Sequence, residues 1–294
     1  MESDDSAGPR MIDVRPFRQR PLKRLVKCLV SLAFFAFSEP WNGIRKILGW
    51  TRPGFATVIY YHQIPKEQCR RFANQLDHLL RWSVPVRADS PAPLPAGSRC
   101  TVVTFDDGWL SFAEIALPEL ERRMIPVTLF MITDYAGRRL EAHSDERLLS
   151  NDELVRLAPD LVMIGSHTLT HCRLTSVSED HARHELRESR VKLEELVKRN
   201  VRLFSFPFGV YNERLVQLCR EAGYERVFTG IPGRAFSHVG EFASGRVRVD
   251  PDDWRLEFHL KLMGAYRWMP LAVSAKWWIT SHLPCRHEIA RVIG

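Results

Sequence analysis

Two carboxylates, Asp106 and Asp107, stand side by side in Thr104-Phe105-Asp106-Asp107-Gly108, at the end of the apolar run 101–105. Adjacent acids at the end of a strand repel each other unless a cation or a shared proton relieves them. Taken alone, Asp-Asp-Gly also suits an ordinary turn. A second group, Ser166-His167-Thr168-Leu169-Thr170-His171, again follows an apolar run, 161–164, and a glycine. On a helical turn, histidines four apart share a face, so both imidazoles could reach one divalent ion. His181 and His184 are similarly spaced but fall on a charged helical pattern, and they read as surface residues. A third segment, Phe204-Ser205-Phe206-Pro207-Phe208-Gly209, is a strand end turning through proline and glycine. The fourth, Asp250-Pro251-Asp252-Asp253-Trp254, follows Arg246 and Arg248 and would equally suit a solvated loop with a core tryptophan.

These segments need a frame that gathers strand ends. β-Branched and aromatic runs at 56–61, 101–105, 127–132, 161–164, 203–206 and 226–229 alternate with helical patterns at 67–82, 112–123, 151–157, 179–198 and 212–222. That alternation predicts an α/β fold with a largely parallel sheet. In the fourth helix Leu186, Leu193, Leu196 and Val197 approximate an apolar stripe that Arg190 interrupts. Ser150 with Glu153 has the form of a capping box, and Gly223 falls where a helix should stop.

With 294 residues, 45% hydrophobic and 26% charged, the chain can enclose a full core, and one large domain with appendages fits best. Its +7 net charge is concentrated in an N-terminal arm carrying Arg10, Arg15, Arg18, Arg20, Lys23, Arg24 and Lys27. The apolar run 25–37 that follows points this arm towards an anionic membrane and away from nucleic acid. That run is too short to span a bilayer comfortably. Trp41, Ile44, Arg45, Lys46, Ile47, Leu48 and Trp50 continue it in the manner of an interfacial helix, while a signal peptide or signal anchor are the competing readings. Six scattered cysteines, without paired spacing, read as ordinary thiols and favour a reducing compartment. The expected organisation is a disordered basic lead at 1–21, a membrane-interfacial helical segment at 22–54, a catalytic domain at 55–265 and an aromatic and basic tail at 266–294. In that tail Tyr266, Arg267, Trp268, Lys276, Trp277 and Trp278 could rest on lipid or pack on the domain. The chain is expected at a membrane, on the cytoplasmic face; the alternative is export to the periplasm behind a signal anchor.

Taken in order, the four segments resemble the polysaccharide deacetylases of the NodB homology type, carbohydrate esterase family four, over about residues 55–265. The resemblance implies a deformed (β/α) barrel with the motifs at the carboxyl ends of its strands. It also implies that Asp106 is the general base and that Asp107, His167 and His171 hold a divalent ion, Zn2+ being the expected one. Pro207, Gly209, Tyr211 and Trp254 would line the substrate groove, the tryptophan near the acetyl methyl. The family's third motif often carries an arginine that positions the base; here Ser205 takes that place, so Arg248, or as second choice Arg246, is expected to supply the cation. The family's C-terminal acid histidine is poorly matched by His259 in Leu256-Glu257-Phe258-His259, which equally suits an amphipathic helix. Tyr60-Tyr61-His62 resembles the opening of the exopolysaccharide branch, in which the acid histidine comes first, so His62 is expected to donate the proton. The function implied is removal of N-acetyl groups from an amino sugar in a polysaccharide or lipid-linked glycan. Two rivals are a binding protein that kept the fold and lost activity, and a hydrolase of O-acetyl esters or formamides on sugars.

Overall fold

The structure, a computed structural model, describes residues 21–47, 54–140 and 146–270, with side chains of 39–47 left aside. The expected basic lead and most of the aromatic tail, including Lys276, Trp277 and Trp278, lie outside the described residues, as do the side chains of Trp41 to Lys46 and all of Leu48 and Trp50.

Eight parallel strands run β1 (Phe55–Tyr61), β2 (Val84–Pro85), β3 (Arg99–Phe105), β4 (Val127–Met131), β5 (Val162–Ser166), β6 (Leu203–Ser205), β7 (Arg226–Thr229) and β8 (Ala243–Arg248). Seven of them close into a barrel, because β1 pairs with both β8 and β3, while β2 only extends the edge of β3. The expected deformed (β/α) barrel is therefore observed. The helices are α1 (Pro21–Ile47), α2 (Cys69–Trp82), α3 (Leu117–Arg122), α4 (Asn151–Val155), α5 (Glu179–Val197), α6 (Glu213–Glu221) and α7 (Arg255–Leu262).

The two-residue period of a strand sorts side chains between two cores. Ala56 and Val58 of β1, Cys100 and Val102 of β3, Phe130 of β4, Leu203 of β6 and Phe228 of β7 pack in one cluster. Their neighbours Ile59, Tyr61, Val103, Phe105, Leu129, Phe204 and Val227 pack with the helices in the other. Strand β8, Ala-Ser-Gly-Arg-Val-Arg, escapes a hydrophobicity reading because two of its three buried positions, Ser244 and Arg246, are polar and only Val247 is apolar. The capping box at Ser150 and Glu153 forms, and Gly223 ends α6 with a φ of +85°. Five cysteines within the described residues are free thiols.

Candidate active site

Inward-facing parity continues one step past the strands. Asp106 follows Cys100, Val102 and Thr104, and its amide donates to Tyr61 O at 3.0 Å, which ties the ends of β3 and β1 together. Asp107 then takes a φ of +74° and Gly108 one of +90°. A side chain on Gly108 would overlap Met131 Sδ, so both the turn and the packing call for glycine there. This reversal sends the two carboxylates to different partners, which is how they coexist while both are buried.

Asp106 is held by Arg246. The guanidinium donates to both carboxylate oxygens, at 2.7 and 2.8 Å, and also to Thr104 Oγ1 at 3.1 Å and Ser205 Oγ at 2.6 Å. It lies over the Tyr60 ring at 4.4 Å and is itself buried. Burial would raise the Asp106 carboxyl, but Arg246 overrides it, with His167 and His62 adding, and the group is held down to about 2. The expectation that Arg248 supplies this cation is corrected: Arg248 pairs instead with Asp250, at 3.0 Å. Both arginines face the same side of β8, but a long side chain carries its head along the strand. Arg246 starts one pleat lower and ends level with Asp106, while Arg248 ends at the rim. Ser205, standing where an arginine was looked for, accepts a hydrogen bond from the one that β8 delivers.

Asp107 faces the histidines. Its Oδ2 accepts from Trp109 Nε1 at 2.9 Å, whereas its buried Oδ1 has no hydrogen-bond partner and lies 3.5 Å from Nε2 of both His167 and His171. His167 Nδ1 is 2.8 Å from Ser205 O, a carbonyl that can only accept, so the proton sits on Nδ1 and Nε2 presents a lone pair to Asp107. Burial pushes both imidazoles down to about 4, so they are neutral near pH 7. A carboxylate oxygen and the Nε2 atoms of two neutral imidazoles converging on one point is the donor set of a divalent cation, and the residues fit one.

The pairing of His167 with His171 does not come from a helical turn. Strand β5 ends at Ser166, and Thr168 and His171 adopt φ of +70° and +60°. Buried Glu185 of α5 holds this loop: its carboxylate accepts from Leu169 N at 2.9 Å, Thr170 N at 3.0 Å and Thr170 Oγ1 at 2.7 Å. Thr168 Oγ1 accepts from His171 N at 3.0 Å. Backbone amides that would start a helix are thereby satisfied by side chains. Cys172, His181 and Glu185 also offer donor atoms close together, but both Glu185 oxygens are already engaged in this clamp.

His62 follows β1 directly, one residue beyond the Tyr61 and Phe105 pair, and so stands level with Asp106. Its buried Nδ1 has no hydrogen-bond partner, and its ring packs edge-on against Tyr60. Pro207 and Gly209 make the turn after β6, where a Cβ on Gly209 would collide with the Gly230 backbone. Tyr211 stacks on the buried Phe206, a packing role. Sequence reasoning passed over Phe208: it takes a φ of +60°, stays 44% exposed, and sets its ring 4.7 Å from His171, with Arg173 over it at 4.6 Å. Trp254 is half exposed beneath the Arg24 guanidinium of α1, at 4.7 Å. His259 sits on α7 against His78 and Trp82, in a cluster apart from these residues.

Residues 94–227 match the polysaccharide deacetylase family model. That segment is similar to the polysaccharide deacetylases. YxkH of Bacillus subtilis (strain 168), assigned by name to the polysaccharide deacetylases, is 28% identical over 153 residues, 52% of this chain. The match spans about half, 52%, of that relative's length. Among solved structures, IcaB from Ammonifex degensii superimposes with a TM-score of 0.59 at 25% identity, over 72% of this chain and 98% of that one. PplD from Streptococcus pyogenes, solved with acetate, gives a TM-score of 0.59 at 21% identity, covering 72% of this chain and 99% of that one, and supports the fold. The family match holds β3 to the middle of β7, and so Asp106, Asp107, His167 and His171. His62 just after β1 and Arg246 on β8 lie outside it, and the closed barrel is what brings them to this site.

Proposed function

We propose that the chain is a metal-dependent hydrolase that removes N-acetyl groups from an amino sugar of a polysaccharide or lipid-linked glycan. The observation that carries this reading is the bare Oδ1 of Asp107 facing two neutral imidazoles, next to a second carboxylate kept ionised by its own arginine. Asp107, His167 and His171 would hold a divalent ion, zinc being the expected one, whose Lewis acidity would polarise the acetyl carbonyl and acidify a water. Asp106 accepts the proton of the attacking water; Arg246 fixes the carboxylate's orientation and keeps it unprotonated. His62, across the strand ends from Asp106, delivers a proton to the nitrogen as the carbon–nitrogen bond breaks. One water is consumed, and acetate and a free amine leave. Phe208 and Trp254 offer exposed aromatic faces for sugar rings, and Pro207 and Gly209 shape the turn that presents Phe208.

The test is acetate release from an N-acetylglucosamine oligomer, with bound metal measured on the same sample. Acetate from wild type but not from Asp106→Asn supports the reading. Bound metal with no acetate from N-acetylated, O-acetylated or formylated sugars would instead make this a binding protein, and release from the ester or formamide alone would reassign the bond.

A further inference from the structure

Helix α1 has two opposite faces. Arg24, Cys28, Ser31 and Phe35 recur at helical spacing and face the barrel: Cys28 is buried, Trp268 Nε1 donates to Ser31 Oγ at 2.8 Å, and Phe35 packs on His259 of α7. Turned half a revolution away are Leu22, Leu25, Val26, Leu29, Val30, Leu32 and Phe37, all exposed, Leu22 by 72% and Phe37 by 83%. The stripe is continuous over Leu22 to Phe37, about 24 Å at the helical rise of about 1.5 Å per residue. No described helix is long and apolar enough to cross a membrane, and α1 is bound to the barrel along its other side.

From these observations we propose that the outward face of α1 seats the protein on an anionic lipid bilayer, lying in the interface with the barrel on its flank. Charge argues for lipid over another protein surface. From residue 14 to residue 38 the sequence holds no acid at all and, besides Arg24, which pairs with Glu257, carries Arg15, Arg18, Arg20, Lys23 and Lys27, so the apolar stripe is introduced by a cationic stretch.

The docked face fixes which way the groove then points. Near the start of α1, Arg24 donates to Asp252 O at 2.7 Å and Glu257 Oε2 at 2.6 Å and covers Trp254, all just after the carboxyl end of β8, at the catalytic rim. Further along, Phe34 shares the Arg267 guanidinium with Phe55, the first residue of β1, at the opposite end of the barrel. The helix therefore runs down the barrel wall from rim to base. With its outer face in lipid, the catalytic mouth opens sideways along the membrane plane, where it would meet glycans held close to the surface. This last step rests on the deacetylase reading; the seating does not.

Flotation of the full chain with phosphatidylcholine vesicles, with and without about 30% phosphatidylglycerol, tests the seating. Wild type is expected to float with the anionic vesicles and the Leu25→Glu/Leu29→Glu variant to lose at least about tenfold in binding, its circular dichroism and metal content unchanged. In parallel, acetate release is followed from a soluble acetylated glucosamine oligomer and from the same oligomer anchored to vesicles. The variant should keep its rate on the soluble substrate and lose it on the anchored one. If no acetate appears from either while wild type still floats, the deacetylase reading fails and the seating stands. A wild-type chain that stays in solution, a variant that floats as well as wild type, or a dimer that the variant turns into a monomer without changing flotation would each overturn the proposal.

Discussion

Two buried charge clusters lie at the carboxyl end of the barrel, and they are built on opposite plans. Where α1 meets α7, Asp253 and Glu257 share two cations: Lys261 lies 2.6 Å from Asp253 and 3.2 Å from Glu257, and Arg24 lies 2.6 Å from Glu257. Charge there balances, and every carboxylate group has a cation. Burial still pushes Asp253 up to about 6 against the pull of Lys261, with Glu257 adding to the rise. At the barrel mouth Asp106 is also balanced, by Arg246, but Asp107 Oδ1 faces two neutral imidazoles at 3.5 Å, with no hydrogen-bond partner and no cation beside it. A balanced cluster has nothing left to bind. The unbalanced one keeps a buried carboxylate oxygen that an added cation would satisfy, which is why function is assigned to it.

The sharpest way to break this contrast is Asp106→Asn. Removing the base should cut acetate release by about 10²–10⁴-fold while bound metal stays at the wild-type level. Loss of the metal along with the activity would mean that the two carboxylates are not separate in role. Next, Arg246→Met leaves a buried carboxylate without its partner and should cost about 3–5 kcal/mol in urea unfolding, whereas Arg248→Ala, facing Asp250 at the rim, should change stability by less than about 1 kcal/mol. Equal effects would return the positioning role to Arg248.

Glu185→Gln should weaken metal binding by about tenfold to a hundredfold, read by competition with a chelator. The amide keeps one oxygen for the Leu169 and Thr170 amides, but it loses the carboxylate's charge and forces Thr170 Oγ1 to turn from donor to acceptor. On the balanced side, Arg24→Ala should lower stability by about 1–3 kcal/mol and leave metal affinity unchanged. A change in metal affinity would show that the clusters communicate. The smallest effect belongs to the half-exposed control, Arg147 and Glu153. The hydrogen bonds from Arg147 hold Glu153 down to about 2 from an ordinary 4.5. That pair stabilises fully above the ordinary value and is lost as pH falls through about 2. The difference in melting temperature between wild type and Glu153→Gln should therefore shrink between pH 6 and pH 2, from a start worth less than about 1 kcal/mol.

Much of this was legible along the chain. Apolar runs alternating with helical stripes marked β1 and β3 to β7, because a buried strand must be hydrophobic on at least one face and a two-residue period shows it. The acid pair and the histidine pair stood out because each follows such a run, and both meet where strand ends converge. The capping box at Ser150 was equally local, as it needs only residues three apart. What sequence reading missed was non-local or polar. Strand β8 was hidden because its inward residues serve Asp106 and the barrel interior, not a hydrophobic core. The histidine loop was read as helical because spacing alone cannot show that Glu185, fourteen residues beyond His171, takes the amides a helix would have used.

The sequence by itself determined the chemical inventory: two adjacent acids, two histidines, strands enough for a parallel barrel, and a cationic stretch leading into an apolar helix. These are properties of residue type and short-range period, and no folding is needed to see them. Only the tertiary structure decided that Arg246 and not Arg248 meets Asp106, that Asp107 and not Asp106 faces the imidazoles, and that α1 turns its leucines outward. Each of those depends on closing the barrel through β1, which sets the depth of every side chain relative to strands distant in the chain, and depth is not written in spacing.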